Sequence, residues 1–441
     1  MRRYSPTSRA SIGALTLATA LGLAACGTNG SDPQASGGQE SITVLMEDIS
    51  YTDNIESLLP DFEAKTGITV TIETVPYSDM SAKILQEFSQ QSDYFDAVFT
   101  DNVYGSGYFD ASYIEDLTPF AAAESSYASL DDYYEPYLAP MTTPEGAVYG
   151  LPVYGESTFL MYRTDLFEEY GLKVPETTDE LMAAAKTITE NSNGDVAGIT
   201  LRGAPGIQSV YPWAGLLRSF GGDFYNADGT IGIDSPEAIE ATEYWASLLR
   251  DYGPPGAANF DWEQNRIAFT QGKAAMTIDA TANGPFNEDP ESSTIAGKVG
   301  YAPVPYAEGV DPGTNTDNSL NVHALYMSAF STHQEATWQF MSWATSQEVQ
   351  DNAVKTTEAV GATNQEVLEG EAYAEKYGPF QDAVMEQLAT GNVNYLPSGQ
   401  DANVIIVETG QALSNVLSGQ QSAEEAMSIA ADKINPQLSD G

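Results

Sequence analysis

The chain has 441 residues, with 63 acids against 17 basic residues and a formal net charge of −46. A body this acidic repels nucleic acid and anionic lipid surfaces and tolerates salt, which screens its self-repulsion; a strongly anionic ligand would need a local basic pocket. The single cysteine rules out a disulfide within the chain, and the two histidines, His323 and His333, exclude a histidine-rich zinc site.

The chain begins with Arg2, Arg3 and Arg9, followed by a short apolar run from Ile12 to Leu23. That run falls short of the ~20 apolar residues a spanning helix needs. With small residues at its end it describes an export segment over residues 1–25. Residues 26–40 are small, polar and glycine-rich, the composition of a flexible tether. The junction, Leu23-Ala24-Ala25-Cys26, resembles the lipobox of bacterial lipoproteins. The resemblance implies cleavage before Cys26, lipidation of its thiol with palmitate among the acyl groups, and residence on the extracytoplasmic face of the cell membrane.

Beyond the tether, residues 41–46 read as a strand, 54–66 as a helix stopped by Gly67 and interrupted at Pro60, 68–75 as a strand, 78–89 as a helix and 95–100 as a short buried strand. Residues 158–162 are extended, 165–170 form a short helix ending at Gly171, and 178–190 form a helix capped by Thr178 or Asp179. Residues 236–251 form a helix with proline in its first turn. Residues 274–278 and 322–327 read as strands, and 332–345, 347–356, 409–417 and 423–438 as helices. The alternation predicts an α/β fold with mostly parallel sheets flanked by helices, and the length allows two domains.

Four segments carry a family resemblance: FDAVFTDNVYGSGYFDASYIEDLTPF (95–120), VYGLPVYGESTFLMYRTDLFEEYGLKVPETTDELMAAAKTIT (148–189), LRGAPGIQSVYPWAGLLRSFGGDFYN (201–226) and AFTQGKAAMTIDA (268–280). In this order, behind a lipobox, they resemble the extracellular solute-binding proteins of ABC importers, in the group that binds sugars, oligosaccharides and polyols. The resemblance runs over residues 40–435. It implies a type II periplasmic-binding-protein-like fold with two lobes, 40–151 plus 279–330 and 152–278 plus 331–441. Crossings are expected near 151–159, 277–281 and 322–327, with a ligand cleft between the lobes. It further implies a monomer that uses no cofactor, catalyses nothing, and passes a carbohydrate to permease subunits driven by a cytoplasmic ATPase.

A sugar presents hydroxyls at its edge and an apolar C–H face, so its site needs carboxylate or amide acceptors and aromatic plates. Glu47 follows the first strand, with Asp48 beside it, and Asp101 and Asn102 end the third; strand ends are where ligands of open α/β sheets collect. Tyr77 follows the second strand. By resemblance, Glu156 in YGES faces the cleft from the first crossing. Tyr211 and Trp213, after a Gly/Pro loop, are expected to form a sugar platform, core packing being the alternative for Trp213. Asp279 ends a strand at the second crossing. Asn318 and Asn321 precede the third, where TDNSLNVHALYM departs from the family's Gly-Gly or Trp-rich phrase. Arg202 is expected to pair with a cleft acid. With 63 acids, carboxylate pairs do not argue for a glycosidase, and no nucleophile elbow, Walker or dinucleotide motif is present. Two alternatives stay open: the same fold binding another solute, such as an amino-sugar or small peptide, and a secreted glycan hydrolase.

Overall fold

The computed structural model describes residues 40–438 apart from 123–125, 311–318, 358–360, 379, 382 and 385–390. The expectations for the export segment, Cys26, the tether up to residue 39 and Asn318 lie outside the described residues.

β1 (Ser41–Glu47), β2 (Thr69–Val75), β3 (Ala97–Asp101), β4 (Leu151–Glu156) and β8 (Asn321–Met327) form one sheet in the order β2-β1-β3-β8-β4. β5 (Thr158–Arg163), β6 (Met276–Ala280) and β7 (Val299–Ala302) form a second, in the order β6-β5-β7. Parallel pairing is confined to β1 with β2 and β3. β8 runs antiparallel to β3 and β4, and β5 antiparallel to β6 and β7, so the first sheet is mixed and the second wholly antiparallel, where mostly parallel sheets were expected. The cause is the route of the chain: β8 enters the first sheet beside the carboxyl ends of β1 and β3 and must run against them.

Local chemistry sets the helix ends. α1 (Ser50–Thr66) begins four residues before the expected start and ends at Gly67, whose φ of 76° is open to glycine. α2 (Tyr77–Ser89) follows β2. α3 (Thr178–Asn191) is capped one residue earlier than expected, by a reciprocal pair in which Thr177 Oγ1 accepts from Glu180 N and the Glu180 carboxylate accepts from Thr177 N. α4 (Ile207–Ser219) carries Pro212 in its interior and is buried on nearly every side. It packs on α5 (Pro236–Tyr252) and α10 (Ala402–Leu417), which α11 (Ala423–Ile434) covers. α6 (Trp262–Thr270) and the short α7 (Gly284–Glu288) flank β6 in sequence.

The division of the chain differs from the expected lobes in two places. β7, expected with the first sheet, pairs with β5 in the second. α8 (Gln334–Ala344), expected with the second, packs on β1, β4 and β8, and α9 (Gln347–Thr356) packs on α1. The apolar residues Trp338, Phe340 and Trp343 of α8 cover the first sheet's core, with the Trp343 ring 4.6 Å from Phe62.

Two connections between the halves, 156–158 and 319–321, run side by side with the end of β6; because β7 follows β6 in the second sheet, the chain does not cross at the expected 277–281. Glu156 lies opposite Asn321 in the β4–β8 ladder. Thr281 N donates to Ser157 O at 2.8 Å, and Ser157 N to Thr281 Oγ1 at 3.0 Å. The hydroxyls of Thr158 and Ser319 meet at 2.7 Å. The crossing expected within 322–327 therefore lies at 319–321, since residues 322–327 belong wholly to β8.

Trp213 is a correction. Expected at a ligand platform, it is fully buried in α4, donating from Nε1 to Thr242 Oγ1 at 3.0 Å and meeting Phe224 edge-on. The Gly/Pro loop before it hides that position 213 is helix interior. We predict that Trp213→Ala costs about 3–5 kcal/mol of stability, the range for truncating a buried aromatic. Denaturant unfolding checks this; an unchanged midpoint would contradict the core placement.

Candidate functional site

The carboxyl ends of β1 and β3, the residue after β2 and the start of β8 bring Glu47, Asp101, Tyr77, Asn321 and His323 to one place. Glu156 joins them from the end of β4. The second half faces them with Arg202, Tyr211 of α4, Trp262 at the first turn of α6, and Phe286 of α7. A cavity of about 540 Å³, its mouth included, lies between and is lined by Glu47, Tyr77, Tyr154, Glu156, Arg202, Tyr211, Trp262, Phe286, Asn321 and His323, with Ile49 and Ala282.

His323 is the centre of the first wall. It is 4 % exposed and stacks on Tyr154, ring centres 4.2 Å apart. Its Nε2 lies 3.1 Å from Asp101 Oδ1 and 3.9 Å from Glu156 Oε1, and its Nδ1 lies 3.8 Å from Glu47 Oε2. Burial opposes the charged imidazole, but Asp101, then Glu156 and Glu47, raise its pKa to about 9. Burial pushes Glu47 up to about 7, with His323 opposing. Asn321 Nδ2 donates to Asp101 Oδ1 at 3.0 Å and to Glu156 Oε1 at 3.4 Å, and Tyr77 Oη donates to Asp101 Oδ2 at 2.8 Å.

Arg202 is the centre of the opposite wall. Its Nε donates to Asp279 Oδ1 and Oδ2 at 3.0 and 3.1 Å, Nη2 also binds Asp279, and the guanidinium lies 4.8 Å from the Tyr211 ring centre. Asn265 Nδ2 donates to Asp279 Oδ2 at 2.6 Å and Ala280 N to Oδ1 at 2.7 Å, so Asp279 is filled. Thr158 Oγ1 donates to Tyr211 Oη at 3.1 Å, and Tyr395 Oη donates to the Tyr211 carbonyl. Among the described residues, Arg202 Nη1 and the Glu47 carboxylate have no hydrogen-bond partner.

The residues read from the sequence divide accordingly. Glu47, Tyr77, Glu156, Tyr211 and Asn321 line the cavity. Asp101 and Asp279 stand behind it, each holding a lining residue and each with both oxygens occupied. Asn102 Oδ1 accepts from Val322 N at 2.9 Å, stitching the end of β3 to β8. Asp48 is exposed at the mouth. His323, Tyr154, Trp262 and Phe286 were not anticipated. Arg202 pairs with an acid as expected, and it lines the cavity as well. The signal for Trp262 was present: Asp261 and Gln264 form a reciprocal helix cap that fixes the tryptophan at the first helical position. Among the described residues, no group of three or more His, Cys, Asp and Glu is arranged to hold a metal ion.

Residues 48–351 match the family described as bacterial extracellular solute-binding protein. A mannitol-binding protein of Pseudomonas aeruginosa is 30% identical over 332 residues, 71% of this chain and 74% of its own. A solved ABC transporter solute-binding protein from Agrobacterium radiobacter K84, in complex with ribitol, superposes with a TM-score of 0.83 at 25% identity, covering 90% of this chain and 99% of that one. One from Agrobacterium vitis S4, with bound D-mannitol, gives a TM-score of 0.81 at 26% identity, covering 90% and 98%.

The two shifted groups make stability fall as pH rises. Glu47 holds its proton more tightly folded than unfolded, so stability declines between its ordinary value of 4.5 and about 7. His323 is raised above its ordinary 6.5, so its contribution is complete below that value and is lost as pH climbs through about 9. We predict that the stability advantage of the native chain over His323→Gln is largest below pH 6.5 and shrinks towards pH 9, as read by denaturant titration across that window. A difference that stays constant or grows with pH would mean that folding does not raise the imidazole's pKa.

Proposed function

The chain belongs to the bacterial extracellular solute-binding proteins, and we propose that it captures an uncharged polyol or sugar outside the membrane and delivers it to an ABC permease powered by a cytoplasmic ATPase. The observation that carries the polyol reading is the pairing of the two walls. Each presents hydrogen-bonding groups held rigid by a buried ion pair, and aromatic rings stand around them. Ligand hydroxyls would donate to Glu47 and Glu156 and accept from Arg202 Nη1, while Tyr211, Trp262 and Phe286 cover the C–H face. Asp101 and Asp279 are positioning residues for His323, Asn321 and Arg202.

The halves described above are the lobes in this reading, and closure of one on the other traps the ligand. Binding without turnover belongs to it too. One observation favours a second ligand: the Glu47 carboxylate, lacking a protein donor, also suits the ammonium of an amine-bearing sugar. The lipid anchor rests on Leu23 to Cys26 in the sequence, and the tether would keep the receptor near its permease.

A thermal-shift screen with D-mannitol, ribitol and an amino-sugar tests the ligand class. A bound ligand at about 100 times its Kd stabilises by about 2.7 kcal/mol. Glu156→Gln is expected to weaken binding of the responding ligand by roughly tenfold or more, since it removes a charged acceptor. Stabilisation by none of these solutes, or turnover of a glycan, would overturn the reading. Cys26→Ser should release the protein into the medium with its affinity unchanged, as fractionation and titration of the released protein will report.

A further inference from the structure

Beside the inner cavity lies an outer chamber of about 1000 Å³, mouth included, and Glu47 lines both. We propose that Glu47 takes a proton from solvent when a neutral polyol or sugar is captured, and returns it when the ligand leaves. The proposal rests on the polyol and sugar reading above.

Glu47, Asp101 and Glu156 share one imidazole, that of His323, so with all three ionised the wall keeps two surplus negative charges. Arg202 faces them, but Asp279 already pairs with it. A buried surplus of this kind is relieved by a proton on the acid least helped by its neighbours. Asp101 accepts from Asn321 and Tyr77 and stands 3.1 Å from His323 Nε2, and Glu156 accepts from Asn321. Glu47 accepts from no donor among the described residues. His323 Nδ1, buried and without a hydrogen bond, lies 3.8 Å from its Oε2. The proton therefore belongs to Glu47.

The burial that favours this proton comes in part from the facing half. Trp262 of α6 and Phe286 of α7 line both spaces with Glu47 and bring apolar rings to them. With the halves apart, water would reach the carboxyl, and it would ionise near its ordinary value of 4.5. In the structure burial pushes it up to about 7, with His323 and Arg202 opposing and Asp101 and Glu156 assisting. Burial keeps the nearby phenols of Tyr77 and Tyr154 protonated, and Asp48, Asp261, Glu263 and Arg266 line the outer chamber that Glu47 borders. A carboxyl offers a hydroxyl both a donor and an acceptor, which a carboxylate does not. An ammonium, in contrast, would hold Glu47 ionised, so the proton separates neutral ligands from amine-bearing ones.

Calorimetric titration of the full chain with D-mannitol and with ribitol, in phosphate and in Bis-Tris at pH 6, tests this, because the difference in heat between buffers gives the protons exchanged. About one proton is expected to be taken up per ligand bound. Affinity is expected to be about tenfold tighter at pH 6 than at pH 8. Glu47→Gln should bind without proton uptake and equally at the two pH values. Trp262→Ala, which readmits water to the carboxyl, should reduce the uptake, and it tests the assignment if Glu47→Gln fails to fold. A neutral ligand bound without uptake, or uptake unchanged in both variants, overturns the proposal and leaves the polyol reading standing. Failure of D-mannitol, ribitol and every other neutral polyol or sugar tried to bind would overturn both.

Discussion

Carboxylates from three strands gathered beside one buried space need a cation among them or a proton on one of them, and both are provided for: burial raises the pKa of Glu47, and against burial the carboxylates raise that of His323. Glu47, Asp101 and Glu156 close β1, β3 and β4, and β8 threads between β3 and β4 to set the imidazole at their meeting point. Isolated buried charges cost several kcal/mol each, and removing one partner of such a group leaves the others uncompensated. The antiparallel entry of β8 is therefore tied to the chemistry of the wall, not only to the closing of a sheet. Arg202 and Asp279 repeat the arrangement on the facing half with one pair in place of a cluster.

Much of the frame was legible because it rests on local rules. The β-branched runs of β1 and β2, the glycine stop of α1 and the strand-end acids Glu47 and Asp101 all follow from periodicity and position. What position could not tell was direction. Asp101 stands where a ligand acceptor would, yet its oxygens are taken by Asn321, His323 and Tyr77, which arrive from elsewhere in the chain. His323 gives no sign in NVHALYM, an ordinary buried strand, because its meaning lies in neighbours some 170 to 280 positions away. The sheet membership of 299–302 and the packing of 334–356 were misjudged for the same reason: both depend on which half the returning chain reaches first. Trp213 lies two residues from Tyr211 on the same helix, yet it faces the core while Tyr211 lines the cavity.

The family places capture outside the membrane, and the two walls suit a neutral, hydroxylated solute. Specificity of this kind comes from rejection as much as attraction. A ligand lacking one hydroxyl leaves a buried charged group unmatched, which discriminates more strongly than a lost apolar contact. The rigidity of the walls sharpens that discrimination, because side chains already held by Asp101, Asp279 and Asn321 do not relax to accept a poor fit.

Trp262 stands apart from the other tryptophans. Trp213, Trp245, Trp338 and Trp343 are buried in the cores of the two halves, whereas Trp262 is partly exposed at the junction of the two chambers, under the Arg266 guanidinium. Its indole lines the cavity, so a ligand filling that space would replace solvent beside it. The molecule thus carries an intrinsic optical probe at its own doorway, with four shielded tryptophans as a steady background, and occupancy can be followed by emission without a label.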